Sequence, residues 1–361
     1  MNLRKYPRAR LHDCPAQETE NTVQKKRLSR KDRIRKSAEA LFGQKITEVS
    51  APGGSSRSSL RFHFDDRTVI GTLRPNFRRT HLEAHVLRAL APHTDDIPRC
   101  LGVDGDILFQ SDVGARRLNT ELHACDHATQ VNLVAEGVAG ILRIQSAAHK
   151  TDLHDMMPHL GNNPEWLANL VDGVSVLVPF KDDIPASFDP AATVERLTST
   201  RLQFVKWDCR TGNAAIGDDG RLRWFDFEYA GLRHGAEDLA WLIADESLPL
   251  DGPTMDAIVR DALAGTPDGN PDDYMDYLSV YTVFHTLQRL DLILSEARSR
   301  GWLKITRVLG KDDVGVHPRF AAHLCRTGAY FAGQSRLTDM LVGHFDSAAQ
   351  TFDRILETGT A

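Results

Sequence analysis

The spacing of apolar and polar positions changes along this chain, and the change divides it in two. A first helix is expected from Ser29: Ser29 with Asp32 three residues on is a capping-box-like start, and Gly43 is a natural stop. Strand-period sequence follows. Ile46 to Val49 leads into Ala51-Pro52-Gly53-Gly54-Ser55-Ser56-Arg57-Ser58, Leu60 to Phe64 alternates, Asp65-Asp66 turns, and Thr68 to Leu73 makes a third strand. Arg79 to Leu90 reads as a helix, and Ile107 to Gly114 as a strand and loop. From about residue 115 the period becomes helical. Val134, Val138, Ile141 and Leu142 share one face of a helix over Val131 to Ile144, and Tyr277, Val280, Phe284, Leu287, Leu290 and Leu294 form a stripe along Tyr274 to Ala297. Pro158, Pro164, Pro179, Pro185 and Pro190 break the stretch between into shorter helices and loops, and residues 319–357 read as one or two closing helices. The fold class expected is α+β, with no internal repeat.

The stretch from Phe204 to Leu242 breaks the helical pattern and carries the chemistry. Asp208 and Asn213 form an Asp-x-x-x-x-Asn unit. Ala214 to Ile216 and Leu222 to Phe225 are short apolar runs joined by Asp218-Asp219-Gly220, a strong hairpin signal because Asp and Gly tolerate positive φ. Asp226 stands at the hairpin's exit. A carboxylate, an amide and a second carboxylate thus flank one small hairpin. Phosphoryl transfer needs a group to accept or orient the proton of the attacking hydroxyl, and hard oxygen ligands for the metal that bridges the phosphates. Asp208 fits the first role, Asn213 and Asp226 the second.

In order and spacing this stretch resembles the catalytic loop and metal-binding Asp of the protein-kinase-like superfamily. Within it, the stretch is similar to the aminoglycoside phosphotransferase and choline kinase-like family, whose usual form is H-G-D-x-x-x-x-N, a hairpin, I-D-W/F-E, then D-L-A. The counterparts are Lys206-Trp207-Asp208, Asn213, Phe225-Asp226-Phe227-Glu228 and Asp238-Leu239-Ala240. The resemblance implies a bilobal kinase-like fold: a small β-rich N-lobe with one helix over 29–112, and a larger, mostly helical C-lobe over 113–361. It implies ATP and Mg2+ between the lobes. Gly53, Gly54, Ser55 and Ser56 would lie over the phosphates, Arg74 at the end of the third strand would hold them while pairing with Glu83, and backbone near Gln110 and Asp112 would grip adenine. Asp238 would accept hydrogen bonds from the catalytic-loop backbone. Lys206 stands where the family has His, and would either hold the loop or contact the γ-phosphate. Trp207 replaces the family's Gly. Arg210 would be a cation beside the transferred phosphate, or a surface charge.

Composition narrows this further. The chain has 361 residues, 41% hydrophobic and 26% charged, and no apolar run long enough to span a membrane. Met1-Asn2-Leu3-Arg4-Lys5 is followed by no apolar core, so no secretory signal is expected there. The cysteines at 14, 100, 125, 209 and 325 are scattered and odd in number, and reduced thiols in a cytoplasm are the simplest account. The net charge of −5 argues against general nucleic-acid binding. Residues 1–36 carry 12 Lys and Arg against 4 Asp and Glu, and residues 1–28 read as a basic, disordered extension.

The expected reaction is transfer of the γ-phosphate of ATP·Mg to a hydroxyl of a small molecule. Only 11 residues separate Asp226 from Asp238, too few for the activation segment of a protein kinase. Sugars, amino sugars, amino alcohols and aminoglycoside-like compounds all fit as acceptors. Asp245, Glu246, Asp251, Asp256, Asp261, Asp272 and Asp273 would favour a cationic one, or be solvated helix faces. The alternative is a nucleotide-binding pseudokinase or regulatory partner with little turnover.

Overall fold

The computed structural model describes residues 28–52, 59–198, 201–264, 271–311 and 313–359. The basic extension up to residue 27 and the loop residues Gly53, Gly54, Ser55 and Ser56 lie outside the described residues.

Five antiparallel strands form the first sheet: β1 (Glu48–Ser50), β2 (Ser59–His63), β3 (Thr68–Leu73), β4 (Cys100–Asp104) and β5 (Ile107–Ser111), in the order β1-β2-β3-β5-β4. The alternation seen in the sequence sets its faces. Leu60, Phe62, Val69 and Phe109 point one way and pack against Ile34 and Ala38 of helix α1 (Arg30–Phe42). Ser29 caps α1 by accepting from the Asp32 N–H, and Gly43 ends it at φ 59°. Gly71 is needed where it stands: a Cβ would meet Phe109, Ile34 and Phe62 at 2.8–2.9 Å. The opposite face presents Ser59, Arg61, Ile70, Thr72 and Gln110 to a cleft. Helix α2 (Phe77–Leu90), capped by Asn76, begins two residues before the expected start and buries Glu83. So two helices, rather than one, accompany this sheet.

The remaining strands are short. β6 (Arg116–Arg117), β8 (Ala214–Ile216) and β9 (Leu222–Trp224) form a three-stranded sheet, and β7 (Gln203–Val205) pairs with β10 (Gly231–Arg233). The β8–β9 hairpin is the one expected, with Gly220 at φ 77° in its turn. Around them lies a helical core. Helix His127–Ala148 buries Val134, Val138, Ile141 and Ile144, and Leu142 is half-buried. Helix Pro271–Arg300 buries Tyr277, Val280, Phe284, Leu287 and Leu290 on the expected stripe, and also Leu278, Tyr281 and Val283, so it is enclosed on several sides. It packs against helices Ala236–Ile243 and Pro318–Ala332, and Val342–Thr358 closes the core. Among the described residues no helix is long and apolar enough to cross a membrane, and the cysteines at 100, 125, 209 and 325 are free.

Candidate functional site

Between β7 and β8 the chain makes a tight loop, and helix Ala236–Ile243 holds it. Asp238, buried in the first turn of that helix, accepts from the backbone N–H of Lys206 (3.0 Å) and of Trp207 (2.7 Å), and from Gln145 Nε2 (3.1 Å). Burial pushes the Asp238 carboxyl above its ordinary range, and these donors work against that rise. Seven residues on, Asp245 accepts from the Thr211 N–H (2.7 Å) and hydroxyl (2.6 Å). The loop is therefore tied at both ends by buried carboxylates.

Between the ties the backbone is forced. Trp207 and Asp208 stand at φ 54° and 53°, and Asp226, at the hairpin's exit, at 68°. Asp adopts the left-handed region with little penalty, whereas Trp is a costly occupant. The compensation comes from Lys206. Its ammonium donates to the carbonyls of Trp207 (3.4 Å), Asp208 (3.2 Å) and Asp226 (3.0 Å), joining the two strained segments. At 1% exposure it lies behind the loop. Of the two tasks considered for Lys206, holding the loop is the one its contacts here match.

In front of the loop the polar groups converge. Arg210 Nε donates to Asp208 Oδ1 at 2.7 Å, and Asn213 Nδ2 donates to Asp208 Oδ2 and to the Asp208 carbonyl, both at 2.9 Å. From the sheet, Arg74 reaches across. Its Nη2 lies 2.6 Å from both Glu83 Oε2 and Asp226 Oδ1, and its Nη1 lies 3.1 Å from Glu228 Oε1. Glu83 Oε1 in turn accepts from the Phe227 N–H at 3.0 Å. Burial opposes the charge on Arg74, but Glu83, Asp226 and Glu228 outweigh it and raise its pKa. Burial likewise pushes Asp226 up, while Arg74 and then Lys206 more than offset this and hold its carboxyl below the ordinary range. Asp226 is thus an anion in a cationic setting. Its carboxylate and the Asn213 amide are hard oxygen donors of the kind Mg2+ takes alongside phosphate oxygens and water. Among the described residues no three His, Cys, Asp or Glu side chains gather as a metal cluster.

A cleft of about 270 Å³ is lined by Ser59, Arg61, Thr72, Arg74, Gln110, Asp112, Asn213 and Asp226, among others; Asp208, Arg210 and Glu83 are not part of its lining. Gln110 faces it with Oε1 buried and without a partner. Asp112 is taken by Arg61 and by the Gly114 N–H, so the hinge is closed by side chains. Five of the seven acidic residues considered for a cationic acceptor have partners within the fold. Asp245 holds the loop, Glu246 pairs with Arg289 and accepts from the Gly315 N–H, Asp251 accepts from the Thr254 N–H, Asp256 pairs with Arg260, and Asp273 pairs with Arg196. Sequence reasoning missed Asp245 as a loop anchor. Asp245 lies two residues past the end of helix Ala236–Ile243, so no helical spacing marked it. Also missed were Arg61 and the reach of Glu228 to Arg74, which only the tertiary fold brings together.

Solved structures share this architecture. A choline/ethanolamine kinase family protein from Mesorhizobium loti superposes with a TM-score of 0.54 at 13% identity, over 88% of this chain and 99% of its own. An aminoglycoside phosphotransferase from Alicyclobacillus acidocaldarius subsp. acidocaldarius gives 0.54 at 12% identity, over 82% of this chain and 94% of its own. The GDP complex of wild-type aminoglycoside 2′-phosphotransferase-IIIa gives 0.51 at 14% identity, over 78% and 98%. No protein-family model matches the sequence, and no curated protein matches it significantly. The kinase-like fold expected from the central motif is the fold of this chain.

Proposed function

We propose that the protein transfers the γ-phosphate of a magnesium-bound nucleoside triphosphate, ATP on the sequence reading, to a hydroxyl of a small molecule. The observation that carries this is a cleft lined by Asn213, Asp226 and Arg74, with Asp208 hydrogen-bonded to Asn213 at 2.9 Å and Glu83 fixing Arg74 from behind. The fold shared with small-molecule kinases supports it, as does the short connection from Asp226 to Asp238, which leaves no room for a protein-kinase activation segment. A cytoplasmic setting fits the free cysteines.

Each residue has a task. Asp208, oriented by Arg210 and Asn213, keeps lone pairs for the acceptor's proton. The hydroxyl oxygen attacks phosphorus, its proton passes to the Asp208 carboxylate, and the bond to the nucleoside diphosphate oxygen breaks. Arg210, which donates to Asp208 at 2.7 Å, would neutralise charge on the transferred group. Asn213 and Asp226 would hold Mg2+, which when bound neutralises the phosphate oxygens. Arg74, fixed by Glu83, would hold phosphates from the sheet side. Gly53, Gly54, Ser55 and Ser56 are proposed to cover the phosphates, and Gln110 and Asp112 to border the base.

Asp208→Ala should lower phosphotransfer to a responsive acceptor by about 10²- to 10⁴-fold, with nucleotide binding and melting temperature kept. The acceptor is found by screening sugars, amino sugars, amino alcohols and aminoglycosides. Unchanged turnover in the variant overturns the assignment of the base. One observation favours a second reading, a nucleotide-binding protein with little turnover: Arg74 Nη2 already sits on Asp226 Oδ1 at 2.6 Å. Nucleotide binding with no turnover across the panel would decide for it.

A further inference from the structure

Arg61 and Asp112 form an enclosed ion pair at the base end of the cleft. Arg61, Ile70 and Gln110 are register neighbours on β2, β3 and β5, so they lie in one row on the sheet face that lines the cleft. Arg61 Nη2 donates to Asp112 Oδ1 at 3.0 Å, and its Nε lies 2.5 Å from Oδ2. The same Nη2 donates to the Gly114 carbonyl at 3.0 Å, while the Gly114 N–H donates to Asp112 Oδ1 at 3.0 Å. The Arg61 and Asp112 side chains are 15% and 10% exposed. Both backbone groups of Gly114 are therefore satisfied internally. Beside them Gln110, 7% exposed, keeps its Oε1 buried and unpartnered.

This arrangement states what the hinge can bind. The Asp112 carboxylate presents two acceptor oxygens side by side: Oδ1 takes a hydrogen bond from Arg61 Nη2, and Oδ2 faces the Arg61 Nε at ion-pair distance without a hydrogen bond from it. The N1–H and N2–H2 edge of guanine is a side-by-side pair of donors on a planar frame. Adenine offers an N1 lone pair at the matching place, which would face a carboxylate oxygen. The ion pair is also the partition between the cleft and a second hollow of about 540 Å³, lined in part by Asp95, Asp218 and Asp219, so a displaced Arg61 would keep carboxylates within reach.

We propose that Asp112 reads the base of the donor nucleotide and selects guanine over adenine, with Arg61 holding its place until the base arrives. This rests on the nucleotide-dependent reading above and narrows its donor.

The test is calorimetric titration of the full chain with Mg2+ and non-hydrolysable analogues of GTP, ATP and xanthosine triphosphate, for the wild type, Asp112→Asn and Arg61→Ala. The wild type should bind the guanine analogue about tenfold or more tightly than the adenine analogue, as hydrogen bonds to a charged acceptor allow. Asp112→Asn should lose that preference and gain xanthosine binding, because its amide puts a donor opposite the xanthine C2 carbonyl. That gain separates altered recognition from misfolding. Arg61→Ala should bind the guanine analogue more tightly, since a competing donor is gone. Equal or adenine-favoured binding by the wild type overturns the inference and leaves the proposed function standing. So does a guanine preference that survives Asp112→Asn, and weaker guanine binding in Arg61→Ala overturns the place-holding role. No binding of any of the three overturns both the inference and the proposed function.

Discussion

At the scale of single residues, the loop is organised from behind by a cation. Lys206 is buried against three carbonyls of a backbone that holds Trp207, Asp208 and Asp226 in the left-handed region. Losing its donors would leave those carbonyls unpaired in a closed space, at a cost of about 1–3 kcal/mol. Lys206→Met should therefore lower the melting temperature and reduce kcat by about tenfold or more, with a smaller change in the nucleotide KM. Lys206→His should restore part of the kcat loss, since imidazole can still donate to one carbonyl. Wild-type kcat and melting in Lys206→Met would show that the contacts do not position the loop. From sequence, the grouping of Asp208, Asn213 and Asp226 around one hairpin was legible, because it depends on residue type and spacing. The role of Lys206 was not, because a lysine in a motif can point forward or back, and only the carbonyls around it decide.

At the scale of elements, periodicity revealed most of the architecture. α1, β2, β3, the β8–β9 hairpin and the long helix Pro271–Arg300 lie where apolar spacing and caps put them. β4 was not foreseen: Cys100–Asp104 includes Gly102, carries an irregular register against β5, and is half exposed, so it has no strand alternation to read. The ties between elements were equally invisible. Glu246, just beyond helix Ala236–Ile243, meets Arg289 of helix Pro271–Arg300 at 2.6 Å and accepts from the Gly315 N–H at 2.8 Å. Burial pushes its carboxyl up, but Arg289 and these hydrogen bonds prevail and bring it from 4.5 down to about 2. The fold thus favours the ionised form. Its contribution, about 3 kcal/mol, is complete above pH 4.5 and fades as pH falls towards 2. Burial also lowers His234 and His285 from 6.5 to about 3, so their neutral forms add stability above pH 6.5 that is lost on acidification towards 3. Chemical denaturation across pH 3 to 7 should show stability declining on the acid side, with the Glu246→Gln variant less stable at neutral pH and flatter below 4.5. A wild-type stability that is constant over that range would contradict this assignment.

At the scale of the whole molecule, a sheet presenting Arg61 and Gln110, with Arg74 just past its third strand, faces loops bearing Asn213 and Asp226, and the cleft between them is where both halves contribute. The sequence pattern made the two halves and the central motif readable. It could not show that Arg74 bridges Glu83, Asp226 and Glu228, because those contacts join residues far apart in the chain. Nor could it show that Asp245 and Glu246, two of the acidic residues considered for substrate binding, serve buried ties within the fold. The central claim is a magnesium-dependent nucleotide site built around Asp226. Its most direct test is the melting temperature of the full chain with GTP or ATP, with and without Mg2+, beside Asp226→Ala. At a hundredfold excess over Kd, binding should stabilise the wild type by about 2.7 kcal/mol, and the magnesium-dependent part should vanish in the variant. No shift with either nucleotide, or a magnesium-dependent shift that persists in Asp226→Ala, would contradict it.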